Sequence, residues 1–151
     1  MKYRFMLIAI VSLALACNDA ENHNAREAAA AAPKSTADSL YEVVDKLHIE
    51  GMAKTGKLRT ALGQVQAKLD SLAKLPAKKI DKAYQQSLTD LKEELTNADD
   101  YMFNWMKEFK DSVKDNSERR IKYLQAEQVK VTKVRDDILT GLQRADSLLK
   151  K

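Results

Sequence analysis

From residue 35 onward, apolar side chains recur every three or four positions in three long runs, separated by two short breaks. The first run is Leu40, Val44, Leu47, Gly51, Thr55, Leu58, Leu62, Val65, Leu69 and Leu72, a spacing that draws one stripe along an α-helix. Pro76 closes it by biasing Leu75 away from helical angles. The second run is Ile80, Tyr84, Leu88, Leu91, Leu95, Ala98, Met102, Trp105 and Phe109, and it fades in the polar stretch Lys110 to Asn116. The third is Ile121, Leu124, Gln128, Val131, Val134 or Arg135, Ile138, Leu142, Ala145 and Leu149. These stripes predict helices over 37–74, 79–112 and 117–149. Ser35 with Asp38, and Asp115 with Glu118, supply the spacing of N-terminal capping pairs. No segment alternates with the two-residue period of a half-buried strand. Short connections force antiparallel neighbours, so the expected fold is all-α: an antiparallel up-down-up three-helix bundle of coiled-coil type.

One part of the first stripe is irregular. Between Leu47 and Leu58 an eleven-residue step replaces a seven-residue one, which locally relaxes a left-handed supercoil. The same stretch holds Gly51 and Gly56, each costing about 1 kcal/mol relative to Ala in a helix interior. Antiparallel pairing around the turn near Pro76 sets His48 opposite Trp105, and Gly51 and Met52 opposite Met102 and Tyr101. The second turn brings Tyr123, Glu127 and Gln128 of the third helix to the same height.

Ahead of the helices the chain changes character. Lys2 and Arg4 precede an apolar run, Phe5 to Leu15, followed by Ala14-Leu15-Ala16 and then Cys17, the only cysteine. That is the order of a secretory signal with a small-residue cleavage site. It predicts a signal peptide over 1–16 and a polar, Ala-rich tether over 17–36, with Cys17 lipidated by the run's resemblance to a bacterial lipoprotein signal, leaving 37–151 as one domain. The alternatives are an ordinary secretory peptide, with Cys17 a leftover thiol, and a spanning helix. The apolar run is shorter than the ~20 residues a bilayer requires, and Asn18, Asp19, Glu21 and Asn22 follow at once. With Cys17 acylated no thiol is left to pair, so the bundle must be stable without disulfides in a compartment that permits them.

Charge adds little. The formal net charge is +4, and loss of Lys2 and Arg4 with the leader reduces it to +2. Acids and bases alternate, as in Lys92-Glu93-Glu94 and Arg135-Asp136-Asp137, where a nucleic-acid binder would cluster its bases on one face. Solvated helix faces account for the mixture, and no nucleic-acid partner is expected.

The candidate chemistry lies in the irregular layer. His48 and Met52, four apart, share a side of the first helix, as Met102 and Met106 share a side of the second. An imidazole and several thioethers form a soft donor set suited to monovalent copper, with Trp105 and Gln128 as the supporting shell. A His/Met haem pair needs a larger cleft than three helices leave. Ordinary packing explains the same residues, since Met fills irregular gaps beside glycine and against aromatic rings. A small apolar ligand is a further alternative. No enzyme is expected: Asp45 and His48 would make half of a di-iron motif whose second half is missing, and there is no glycine-rich phosphate loop.

The leader resembles the lipobox of bacterial lipoproteins, with Ala14 where Leu is usual. Ser39-Leu40-Tyr41, Leu47-His48-Ile49-Glu50-Gly51-Met52, and Ala98 through Phe109 resemble a group of small helical lipoproteins of Bacteroidota that carry the label "viral A-type inclusion protein". The resemblance implies a lipid-anchored protein of the Gram-negative envelope, acylated in the palmitate manner at Cys17 and held in the outer membrane. Asp19 and Glu21 resemble the acidic signal that sends such lipoproteins to the cell surface. It supplies no activity. The expected role is a structural or protein-interaction module with an envelope partner or a second copy of itself; the alternative is a copper binder using His48, Met52, Met102 and Met106.

Overall fold

In the computed structural model, which describes residues 34–112 and 114–150, Ser35 caps the first helix as its spacing from Asp38 predicts. Its hydroxyl oxygen accepts from the Asp38 backbone N–H at 3.1 Å, and its O–H donates to the Asp38 carboxylate at 2.7 Å. Helix α1 runs Thr36–Ala73. Pro76 then leads a 3-10 turn, Ala77–Lys79. Helix α2, Lys82–Glu108, starts from Asp81, whose carboxylate accepts from the Tyr84 N–H at 3.0 Å. Helix α3 is Glu118–Leu148.

Three boundaries depart from the periodic reading. α2 begins at Lys82 rather than 79, because the turn after Pro76 uses Ala77–Lys79 and Asp81 offers a capping carboxylate. It ends at Glu108 rather than 112. Phe109 turns extended, with ψ at 119°, and the Lys110 N–H leaves the helix to donate to the Tyr123 hydroxyl at 2.7 Å. α3 is capped by Ser117 rather than Asp115: the Ser117 hydroxyl accepts from the Arg120 N–H at 3.2 Å, while the Asp115 carboxylate accepts from the Ser117 N–H at 3.1 Å and shapes the approach to the cap.

Cross-helix pairs fix the directions. Gly51 meets Met102 and Arg59 meets Asp99, so numbers rise on α1 as they fall on α2. Likewise Tyr84 meets Leu148, Glu94 meets Arg144 and Trp105 meets Glu127 between α2 and α3. Asp38 with Arg120, and Glu50 with Arg135, run the same way on α1 and α3. The bundle is therefore up-down-up. Val44, Leu58 and Val65 pack with Leu88, Leu91, Leu95, Met102, Val131 and Ile138 in its core, all 0 to 1 % exposed. Each such Leu contributes about 1.5–3 kcal/mol through burial.

The inward face of α3 needs a correction. Arg120, Leu124, Glu127, Val131, Val134, Ile138, Gly141 and Ala145 are the buried positions. Glu127 and Gly141 thus stand where apolar periodicity places Gln128 and Leu142, and of the two residues it left open between them Val134, not Arg135, is the buried one. Strict alternation of four- and three-residue steps sets this register, and it carries an arginine, a glutamate and a glycine inward because each has a specific partner there.

The glycines divide by what crosses them. A Cβ on Gly51 would lie 2.4 Å from Met102 Cε, and one on Gly141 would lie 2.8 Å from Leu95 Cδ2, so both admit a side chain of α2. Gly56 and Gly63 would meet nothing within 4 Å. There the entropic cost of a helical glycine has no compensation. Gly56→Ala and Gly63→Ala are each expected to raise unfolding free energy by about 0.5–1 kcal/mol in urea denaturation; a loss of stability from either would contradict the open surroundings seen at these positions.

Among the described residues, no helix is long and apolar enough to cross a membrane.

Candidate functional site

Near the end of α2 the core turns aromatic. Trp105, 7 % exposed, stacks on Phe109 with ring centroids 4.9 Å apart, and Phe109 stacks on Tyr123 of α3 at 6.0 Å. Tyr41 of α1 approaches Phe109 at 6.3 Å, and the His48 ring lies 5.3 Å from Trp105 at a tilt of 44°. The heights read from antiparallel geometry hold: His48 does face Trp105, and Gly51 does face Met102.

The tryptophan is anchored by a residue that periodicity overlooked. Its indole N–H donates to Glu127 Oε2 at 2.9 Å, and Glu127 is 4 % exposed. Lys130 donates to the other carboxylate oxygen at 2.8 Å from a largely exposed position, and this bond raises the lysine's pKa. Gln128, expected in the supporting shell of this layer, is half-buried beside it. The signal for Glu127 was present: it lies three residues after Leu124 and four before Val131, the same helical stripe, but its charge argued against an inward position.

His48 is distinctive in another way. Its Nε2 is the sole buried side-chain nitrogen or oxygen without a hydrogen-bond partner among the described residues. Of the thioethers, Met102 is fully buried with its methyl lying across Gly51, Met52 is half-buried against the core, and Met106 is 39 % exposed. The structure thus gathers His48, Gly51, Met102 and Trp105 in one layer, with Met106 at its outer edge. Among the described residues no three His, Cys, Asp or Glu side chains group to hold a metal ion. Cys17 lies outside the described residues.

Beside this layer a charged clamp joins all three helices' neighbourhood. Arg120 is 4 % exposed and donates bidentately to Asp111 at 3.0 and 2.9 Å, to Asp38 of α1 at 2.9 Å and to the Asp115 carbonyl at 2.8 Å. Hydrogen bonds from Arg120 hold the Asp111 carboxyl below its ordinary range against the opposing effect of burial. Asp38 is lowered by the Ser35 hydroxyl and then by Arg120, and Arg120 itself is raised by Asp111 and Asp38. Asn116 completes the junction by accepting from the Ala37 N–H at 3.1 Å, one of the helix-terminal donors without an intrahelical partner.

Along the opposite half of the bundle, α1 and α3 part into a groove. Ala61, Leu142, Ala145 and Leu149 form its floor, Lys54, Lys57 and Gln64 one wall, and Leu139, Gln143 and Asp146 the other. It continues past Gln64 and Leu149 to Ala67, Lys68 and Ser71. The rim is predominantly basic and the floor apolar.

Compared with known proteins, the chain matches no family model, no curated protein and no solved structure.

Proposed function

We propose that the protein is a lipid-anchored, non-enzymatic helical bundle of the cell envelope that serves as a structural or protein-interaction module. The observation that carries the interaction reading is the continuous groove between α1 and α3, with an apolar floor and Lys54, Lys57 and Lys68 along its edge. A surface of that form suits a helix or extended segment that lays apolar side chains into a channel and presents polar ones at the rim. Leu139 beside it is 41 % exposed, more than a leucine serving only the core. A photoreactive residue at Leu139 is expected to give discrete crosslinked species in intact cells, and the same residue at the exposed Asp90 of α2 is not. Absence of adducts at Leu139, or the same adducts from Asp90, would remove the reading.

The anchor half of the proposal rests on the leader and Cys17. An acyl chain contributes about 0.8 kcal/mol per buried methylene, and stable retention takes a second chain or a second membrane-binding signal beside the first. Cys17→Ala is expected to abolish acylation and release the protein from membranes into the soluble envelope fraction, while the far-ultraviolet circular dichroism of the bundle stays helical. Continued partition of that variant with membranes, after leader removal, would rule out the lipid anchor.

A further inference from the structure

We propose that the layer around His48 is a binding site for monovalent copper, formed by the His48 imidazole with the Met52 and Met102 thioethers and closed by the Trp105 ring. This inference stands apart from the interaction reading and uses the other end of the bundle. Its first support is the unpartnered His48 Nε2, buried where no hydrogen-bond donor or acceptor reaches it. A buried polar atom without a partner is costly and uncommon. In a neutral imidazole one nitrogen carries a lone pair, and a soft cation would satisfy it.

The second support is the way α1 is built around this nitrogen. Gly51 stands between His48 and Met52 in sequence, and a Cβ there would fall 2.4 Å from Met102 Cε. Any other residue at 51 would displace the Met102 terminal methyl from its place against α1. Glycine lets Met102 lie across α1 at the level bounded by His48 and Met52, despite its cost in a helix interior. Met52 in turn is one helical turn from His48 on the same side.

The donor types select the metal. Thioethers and imidazole are soft to intermediate ligands that favour monovalent copper, and no group of three His, Cys, Asp or Glu residues among the described ones offers a site to zinc or a hard cation. Trp105 lies 5.3 Å from the His48 ring, and an indole is the aromatic side chain that attracts a cation most strongly. Its indole N–H bond to Glu127 fixes that ring in place. Met106, one turn beyond Met102, is 39 % exposed at the outer edge of the layer.

The test uses the full chain carrying Cys17→Ala, so that no thiol competes, purified in detergent and titrated with copper under ascorbate against bicinchoninate. Trp105 is the only tryptophan, so its fluorescence reports this layer directly. Quenching that saturates at one equivalent is expected, with no response to zinc at the same concentration. Met102→Leu and Met52→Leu conserve core volume, and each is expected to weaken binding by more than about tenfold, as is His48→Gln. The proposal fails if bicinchoninate retains the copper, if zinc quenches equally, or if His48→Gln and Met102→Leu bind copper like the parent chain. In any of those cases the layer is packing alone.

Discussion

Trp105→Ala is expected to lower the unfolding free energy by about 3–5 kcal/mol, the range for removing a large aromatic side chain from a packed core. Three separate contacts are lost together. The ring is 7 % exposed, stacked on Phe109 and tilted against His48, so its removal opens a cavity in the aromatic layer. The indole N–H bond to Glu127 also disappears, leaving a carboxylate that is 4 % exposed with Lys130 as its remaining partner. Lys130 is more than half exposed and remains largely solvated. Trp105→Phe separates the two effects: it keeps most of the ring and deletes the donor, and it should cost about 1–3 kcal/mol for the unsatisfied carboxylate. Adding Glu127→Leu to Trp105→Phe should return part of that loss, because both polar partners are then gone. Urea denaturation followed by circular dichroism measures all three variants, since fluorescence loses its chromophore. A cost below about 1 kcal/mol for Trp105→Ala would show that the layer is not part of the cooperative core.

The sequence reads most clearly where burial is apolar and the helix is regular. Leu88, Leu91, Leu95, Ala98, Met102 and Trp105, the buried set of α2, all lie on the stripe that periodicity draws. Gly51, Thr55 and Leu58 on α1 also keep their positions, and the Thr55 hydroxyl is accommodated by donating to the Met52 carbonyl at 2.9 Å. Periodicity loses the register of α3 because the inward positions there include Arg120, Glu127 and Gly141, which a hydrophobicity rule rejects. Their burial depends on partners far along the chain: Asp111 and Asp38 for Arg120, Trp105 for Glu127, Leu95 for Gly141. A pattern confined to one helix contains none of those partners.

The helix ends follow a similar division. Ser35 is legible as a cap because its acid, Asp38, lies three residues on. Between α2 and α3, Asp111, Asp115, Asn116 and Ser117 all resemble capping residues, and the tertiary structure assigns them different tasks. The His48 layer itself was legible from antiparallel register, while the buried, unpartnered Nε2 and the passage of Met102 over Gly51 emerge only in three dimensions.

Replacing Arg120 by Met is expected to lower the unfolding midpoint by roughly 10 °C, although the change substitutes an apolar side chain at a buried position. The reason is what it leaves behind. Asp111 has only 3 % of its side chain exposed and takes two hydrogen bonds from the guanidinium, so removal of Arg120 strands a carboxylate in a poorly solvated pocket. Lys114 still reaches it at 3.1 Å but from a side chain 64 % exposed, too solvated to replace a bidentate partner. The Arg120 bonds to Asp38 and to the Asp115 carbonyl are lost as well, freeing the start of α1 from the approach to α3. A second substitution, Asp111→Leu, in the Arg120→Met background should restore more than half of the loss, because replacing both members of a buried pair removes the stranded charge. The pH dependence has a definite sign. Asp111 and Asp38 have folded-state pKa values below the ordinary 3.8, so their stabilising contribution is present above that value and declines as pH falls through the depressed ones. The parent chain should therefore lose stability below about pH 4 more steeply than the Arg120→Met/Asp111→Leu chain. Equal acid sensitivity in the two, measured as midpoint against pH, would mean that this clamp does not govern how the α2–α3 connection is held to α1.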